Sequence, residues 1–135
     1  MSLVVPVAVV GLGSVGKTLL RLMIQKETIF EKKYEIKFQI VIAVDSSGIA
    51  ADSLGIQAHH LLQTKEEKKF VKDLSQYRPG KTLPEILDEI NCKILFEASP
   101  VNLKVKKSFQ HFMLITLHRL ESQVCRLWRK LYKRE

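Results

Sequence analysis

At 135 residues, with 46% apolar and 27% charged residues, the chain fits one globular domain large enough to bury a core. No apolar run reaches the roughly 18 residues that a membrane span needs, and "MSLVVPVAVVGLG" begins without the basic leader of a signal peptide. The net charge of +8 is uneven: residues 1–103 carry 13 basic and 12 acidic residues, while residues 104–135 carry 9 and 2, so the chain reads as a near-neutral domain with a basic tail, not as a nucleic-acid binder.

Val4 to Val10 is almost wholly apolar and β-branched and is cut short by glycine, the pattern of a strand buried on both faces. After Gly16, the residues Leu19, Leu20, Met23 and Ile24 recur at helical spacing with Lys17, Arg21 and Gln25 between them, which predicts an amphipathic helix on a sheet. A second buried strand is expected at Ile40 to Val44, ending on Asp45 and a Ser-Ser-Gly turn. Strand, helix, strand implies a βαβ unit with parallel strands.

Between Leu54 and Leu83 one or two short helices are expected, with the "EEKK" run as a solvated surface. "TLPEILDEI" predicts a further short helix, because Thr82 can cap, Glu85 follows three residues on and Pro84 sits in the tolerant first turn. Lys93 to Glu97 predicts a third strand. In the tail, Met113, Leu117, Leu120, Val124, Leu127 and Leu131 form an apolar stripe beside Arg119, Arg126, Arg129 and Lys130, the pattern of a basic amphipathic helix. The expected architecture is therefore α/β: a Rossmann-like parallel sheet with flanking helices over residues 1–104, incomplete, followed by a helical tail over 105–135. Cys92 and Cys125 show neither metal spacing nor a disulfide framework, which suits a cytoplasmic protein.

The turn "GLGSVGKT" has two readings. Gly11, Gly13 and Gly16 spell G-x-G-x-x-G, the dinucleotide fingerprint, and with Lys17 and Thr18 they also spell G-x-x-x-x-G-K-T, the loop of ATP- and GTP-binding proteins. Either way a helix starting just after a strand offers unpaired N–H groups and a positive dipole end to an anion. Asp45 suits both, as a ribose ligand or as a magnesium ligand. Three features favour the dinucleotide. No base-reading N-K-x-D follows, since "NCKI" lacks the Asp, and no hairpin turn lies between Gly16 and Asp45. The third strand also ends in the small and hydroxyl residues "EASPVN", placed where such folds meet the nicotinamide half.

The segments "VAVVGLGSVGKTLLRLMIQK", "IVIAVDSSG" and "ILFEASPVNLK" together resemble the N-terminal, nucleotide-binding part of homoserine dehydrogenases over about residues 5–104. The resemblance implies an NAD(P)-linked interconversion of aspartate semialdehyde and homoserine, on the route to threonine and methionine. It places Gly11, Gly13, Ser14, Val15 and Gly16 at the pyrophosphate, Asp45 at the adenosine ribose, and Ser99, Pro100 and Asn102 beside the nicotinamide. An acid at position 45 would favour NAD over NADP, because a 2′-phosphate would meet a carboxylate, although a neighbouring basic residue would offset this.

After "PVNLK" the resemblance stops. The family's lysine-bearing V-T-A-N-K stretch has no counterpart in "VKKSFQHFMLITLHRLESQVCRLWRKLYKRE". No catalytic residue and no metal ligand is assigned, and His59, His60, His111 and His118 read as surface or helix-face residues. The expectation is a truncated or altered member, by frameshift or as a short variant, whose substrate domain a partner chain would supply. The open sheet edge would favour self-association. The competing readings are a triphosphate-binding protein, for which Lys17 would be essential, and a partner module built on the basic helix of the tail, which could instead simply cover the open sheet.

Overall fold

The computed structural model describes residues 2–99. In chain order these form β1 (Leu3–Val10), α1 (Ser14–Tyr34), β2 (Ile36–Asp45), β3 (Gly48–Ile56), α2 (Ala58–Glu66), a single 3₁₀ turn at Val71–Asp73, α3 (Leu83–Glu89) and β4 (Ile94–Glu97). The expected tail helix, Pro100, Asn102, His111, His118 and Cys125 lie outside the described residues. The sheet order is β3-β2-β1-β4, with β1 parallel to both β2 and β4.

Why these segments take these forms follows from local chemistry. β1 is buried from Val7 to Val10, which suits its run of β-branched side chains in the middle of the sheet. α1 meets no Gly or Pro after Gly16 and runs 21 residues, burying Leu20 and Gly16. It stops where Glu35 turns left-handed at φ 54°, with Lys32 and Lys33 in its last turn against the negative end of the helix dipole. α3 starts as its sequence predicts: Thr82 accepts the Glu85 N–H, and Glu85 accepts the Thr82 N–H at 3.0 Å.

The sheet is mixed, not wholly parallel. β3 returns antiparallel to β2 through a tight turn at Asp45–Gly48 and forms one edge. Its sequence, GIAADSLGI, has little strand propensity of its own. It is a strand because Ile49, Ala50 and Ala51 are buried against β2 and because the turn closes the hairpin. β2 also begins earlier than its apolar run suggests, pairing Ile36 with Leu3.

The two faces of the sheet carry separate cores. Val5, Val7, Val9, Leu12, Leu20, Ile40 and Leu61 pack on the α1 face, and Ala8, Val10, Ile42, Leu83, Ile86 and Ile90 pack on the α3 face. Leu20 is fully buried, whereas Leu22 on the same helix is 46% exposed. Leu20→Ala should therefore cost about 2–5 kcal/mol, and Leu22→Ala should stay within about 0.5 kcal/mol of the parent, both read from urea unfolding midpoints.

Candidate dinucleotide-binding site

The chain leaves β1 at Val10 and enters α1 at Ser14, so only Gly11, Leu12 and Gly13 make the turn. Gly11 sits at φ 91°, a backbone state that side chains disfavour, and a Cβ there would lie 2.5 Å from the Ala98 carbonyl carbon and the Ser99 nitrogen. A Cβ on Gly16 would overlap the Gly11 carbonyl oxygen. Both glycines are thus required by the chain itself, one for the approach of β1 to β4 and one for the seating of α1 on β1. Gly13 differs. Its φ is −77°, and a Cβ there would meet nothing within 4 Å. No contact within the described residues accounts for a glycine at 13.

At this point α1 begins without a side-chain cap and with no acidic residue in its first turn. The first helical bond runs from the Lys17 N–H to the Gly13 carbonyl at 2.9 Å, which leaves the N–H groups of Ser14, Val15 and Gly16 as the open end of a long dipole. Ser14 and Val15 are exposed there, Val15 by 68%. Ser99 joins them from across the sheet: β4 runs parallel to β1, Ala98 donates to the Val10 carbonyl at 2.7 Å, and the Ser99 N–H donates to Glu97 Oε1 at 2.7 Å. Strands β2 and β4 lie on opposite sides of β1, so this crevice is the switch point of the sheet, where open α/β folds hold their ligands.

The rival triphosphate loop fits this geometry poorly. Gly16, Lys17 and Thr18 already lie inside α1, so a three-residue turn is all that remains to wrap an anion. The Thr18 hydroxyl donates to the Ser14 carbonyl at 2.9 Å within the helix.

Asp45 closes β2 beside the turn, and the Gly11 N–H donates to the neighbouring Val44 carbonyl at 2.9 Å. Its carboxylate, however, points into the protein, with only 5% of the side chain exposed. Oδ1 accepts from the Ser47 N–H and hydroxyl at 2.7 and 2.6 Å, and Oδ2 accepts from Lys65 Nζ at 2.8 Å and the Val71 N–H at 2.9 Å. Each oxygen therefore already holds two donors. Lys65 is the residue that sequence reasoning passed over. It stands directly before the exposed "EEKK" run, yet its side chain is only 13% exposed, and nothing local marks it as different.

His59 and His60 are exposed. Burial pushes the Cys92 thiol up to about 11, so it is no nucleophile at neutral pH. Among the described residues, no group of three or more His, Cys, Asp or Glu is placed to hold a metal ion, and no helix is long and apolar enough to cross a membrane.

Burial alone would raise the Asp45 carboxyl, but the bonds from Lys65, Ser47 and Val71 outweigh it and hold the group below its ordinary 3.8. A carboxylate whose folded value is depressed stabilises the fold fully above pH 3.8, and loses that contribution as the pH falls through the lower folded value. Asp45→Asn should cost about 3 kcal/mol at pH 7, because Lys65 is left without its counter-charge. It should also flatten the loss of stability below pH 3.8, measured as urea midpoints of parent and variant from pH 5 downward.

No family model matches the chain. The homoserine dehydrogenase of Methanocaldococcus jannaschii is 26% identical over 98 residues, covering 73% of this chain and 29% of that enzyme. Among solved structures, a hyperthermophilic archaeal homoserine dehydrogenase in complex with NADPH superposes with a TM-score of 0.60 at 19% identity, over 73% of this chain and 30% of that one. A mutant of a hyperthermophilic archaeal homoserine dehydrogenase, also in complex with NADPH, gives 0.59 at 18% identity, over 72% and 29%. The chain thus spans under a third of the length of the relatives it matches; over about 73% of its own length it is similar in sequence to homoserine dehydrogenase, and its Rossmann-like α/β fold is that of the two solved structures.

Proposed function

We propose that residues 2–99 bind a nicotinamide dinucleotide at the mouth formed by Gly11, Gly13, Ser14, Val15 and Gly16, as the nucleotide-binding part of a homoserine dehydrogenase. The single observation that carries this reading is Gly13. Gly11 and Gly16 answer to contacts within the chain, whereas Gly13 has open space where its side chain would be, directly before an uncapped helix start. A bare Cα at that place lets a pyrophosphate reach the first-turn N–H groups. The NADPH carried by the neighbouring structures and the dehydrogenase similarity support the same carrier for this chain.

In this reading each group has a stated task. The N–H groups of Ser14, Val15 and Gly16 hold the pyrophosphate, and Ser99, two residues past the end of β4, borders the nicotinamide. When bound, the carrier supplies the hydride, and the chain's part is to orient it at the open end of β1 and β4. Asp45 anchors the floor beside the adenosine ribose and reaches its hydroxyls only by giving up one of its internal donors. Because Lys65 balances its charge, the repulsion that a carboxylate would exert on a 2′-phosphate is largely offset, so NADH and NADPH both bind and the preference for NAD is small. Reduction of aspartate semialdehyde requires groups beyond residues 2–99, in the family's substrate domain.

Titration of the full chain with NADH and NADPH, followed by cofactor fluorescence, tests this. Both should bind, and Gly13→Val should weaken them at least about tenfold, or 1.4 kcal/mol, while lowering the melting temperature by no more than about 5 °C, the effect of a less favourable helix cap. Lys17→Ala should change either affinity less than about threefold, or roughly 0.65 kcal/mol. Binding of magnesium-ATP that Lys17→Ala abolishes, with no response to either reduced carrier, would overturn the reading.

A further inference from the structure

Among the described residues β4 is the sheet edge opposite β3, and its two faces are unequally covered. Leu95 faces the α3 core and is 8% exposed, whereas Ile94 and Phe96, which alternate with it, pack on the α1 core and are only half-buried. The placement of the helices accounts for the difference. On that face α1 packs against β2 and α2, and the 3₁₀ turn packs against β3 and β2, so the helical cover lies toward the β3 edge.

The flank of α1 that looks toward β4 is apolar as well. Arg21 marks the other flank, since it reaches Glu66 of α2 at 2.9 Å. At about 100° per residue, Leu19 lies roughly 160° round the helix from Arg21, with Val15 one turn before it on the same side. Leu19 is half-buried and Val15 is 68% exposed. Leu22 stands about 60° further out, toward water. Val15, Leu19, Ile94 and Phe96 thus border an apolar groove between the first half of α1 and β4, level with Val7 to Val10 of β1. This groove is separate from a hollow of about 290 Å³ under the second half of α1, which Phe30, Phe38, Leu54 and Gly55 line.

The chain itself carries a segment of the right chemistry within reach. It leaves the described residues at Ser99, whose nitrogen would lie 2.5 Å from a Cβ on Gly11, just before α1 begins. In the residues that follow, Met113, Leu117, Leu120, Val124, Leu127 and Leu131 step by 4, 3, 4, 3 and 4. That period lets a helix lay one continuous apolar ridge along a neighbour crossing it at about 20°. Residues 100–112 span up to about 40 Å when extended, ample to bring the stripe from Ser99 to the groove.

We infer that residues 113–131 dock as a helix in this groove, with the stripe against Val15, Leu19, Ile94 and Phe96, and so close the open side of β4 within the same chain. Arg119, Arg126, Arg129 and Lys130, off the stripe, then face water. Tethering gives the segment an effective concentration of about 1 mM, so a contact that would hold two separate pieces at about 0.1 mM is closed roughly nine-tenths of the time.

The test places one nitroxide on the tail of the full chain, at His118→Cys in a Cys125→Ser background; Cys92 is buried and stays unlabelled. Two-dimensional NMR should lose the backbone amide peaks of Leu19, Ile94 and Phe96 and keep those of Leu61 in α2 and Ile86 in α3. Leu120→Asp, and independently Val124→Asp, should bring the lost peaks back, whereas Arg119→Ala should not. A mixture of nitroxide-bearing chain with isotope-labelled chain that lacks the nitroxide should show no loss. Four results would overturn the proposal: no peak lost between residues 2 and 99; loss at Phe38 and Gly55 instead, which seats the tail in the other hollow; loss in the mixed sample, which makes the occupant a second copy; or loss that persists in both aspartate variants. None of them bears on the glycine turn, which is read by NADH and NADPH.

Discussion

Three pieces of backbone meet at the carboxyl end of β1 with no side chain between them. The Gly11 carbonyl lies against the Cα of Gly16, and Gly11 itself lies against Ala98 and Ser99 at the end of β4. This contact sets where α1 begins and how closely it lies on the sheet, and it holds β4 at the width of one strand from β1. Once α1 is seated, Leu20 falls into the core of that face, and the open N–H groups of the first helical turn look out over the crevice. A single added methyl at Gly11 or Gly16 would have to push apart two backbones rather than two flexible side chains, which is the most costly adjustment a packed interior can make.

A polar anchor supports this arrangement from the side. Asp45 ties the β2–β3 turn to itself through Ser47, and ties that turn to α2 through Lys65 and to the 3₁₀ turn through the Val71 N–H. Four donors on one carboxylate, with its counter-ion also mostly buried, make a satisfied network of the kind that specifies a unique local structure. The consequence for the ligand is indirect. The acid that would grip a ribose in a simpler turn is already committed to the floor of the crevice, and its charge is balanced before any phosphate approaches. The exposed Phe70, with Lys65 and Lys72 Nζ 5.0 and 5.6 Å from its ring, extends the same neighbourhood outward.

The helix α1 links the two concave ends of the sheet. Its first turn belongs to the glycine mouth, and residues 23–30 form a wall of the cavity beyond Ile36. A 21-residue helix is about 30 Å long, so one rigid element borders both places.

Much of this protein is written locally in its amino acids. The run from Val7 to Val10, cut short by glycine, fits a buried strand; Gly11, Gly13 and Gly16 fit a tight entry to a helix; and Thr82, with Glu85 three residues on, marks the start of α3. Each of these depends on neighbours within a few positions, so chain chemistry alone decides it. What lay beyond such reading depends on partners distant along the chain. β3 has weak strand propensity and exists because β2 offers it a ladder, which also turns a parallel sheet into a mixed one. The direction of the Asp45 carboxylate is decided by Lys65 and Val71, 20 and 26 residues away, and no spacing rule connects them. Only the folded chain brings Phe30 of α1, Phe38 of β2 and Leu54 and Gly55 of β3 around one hollow, because burial at a surface is a property of what the tertiary structure sets side by side.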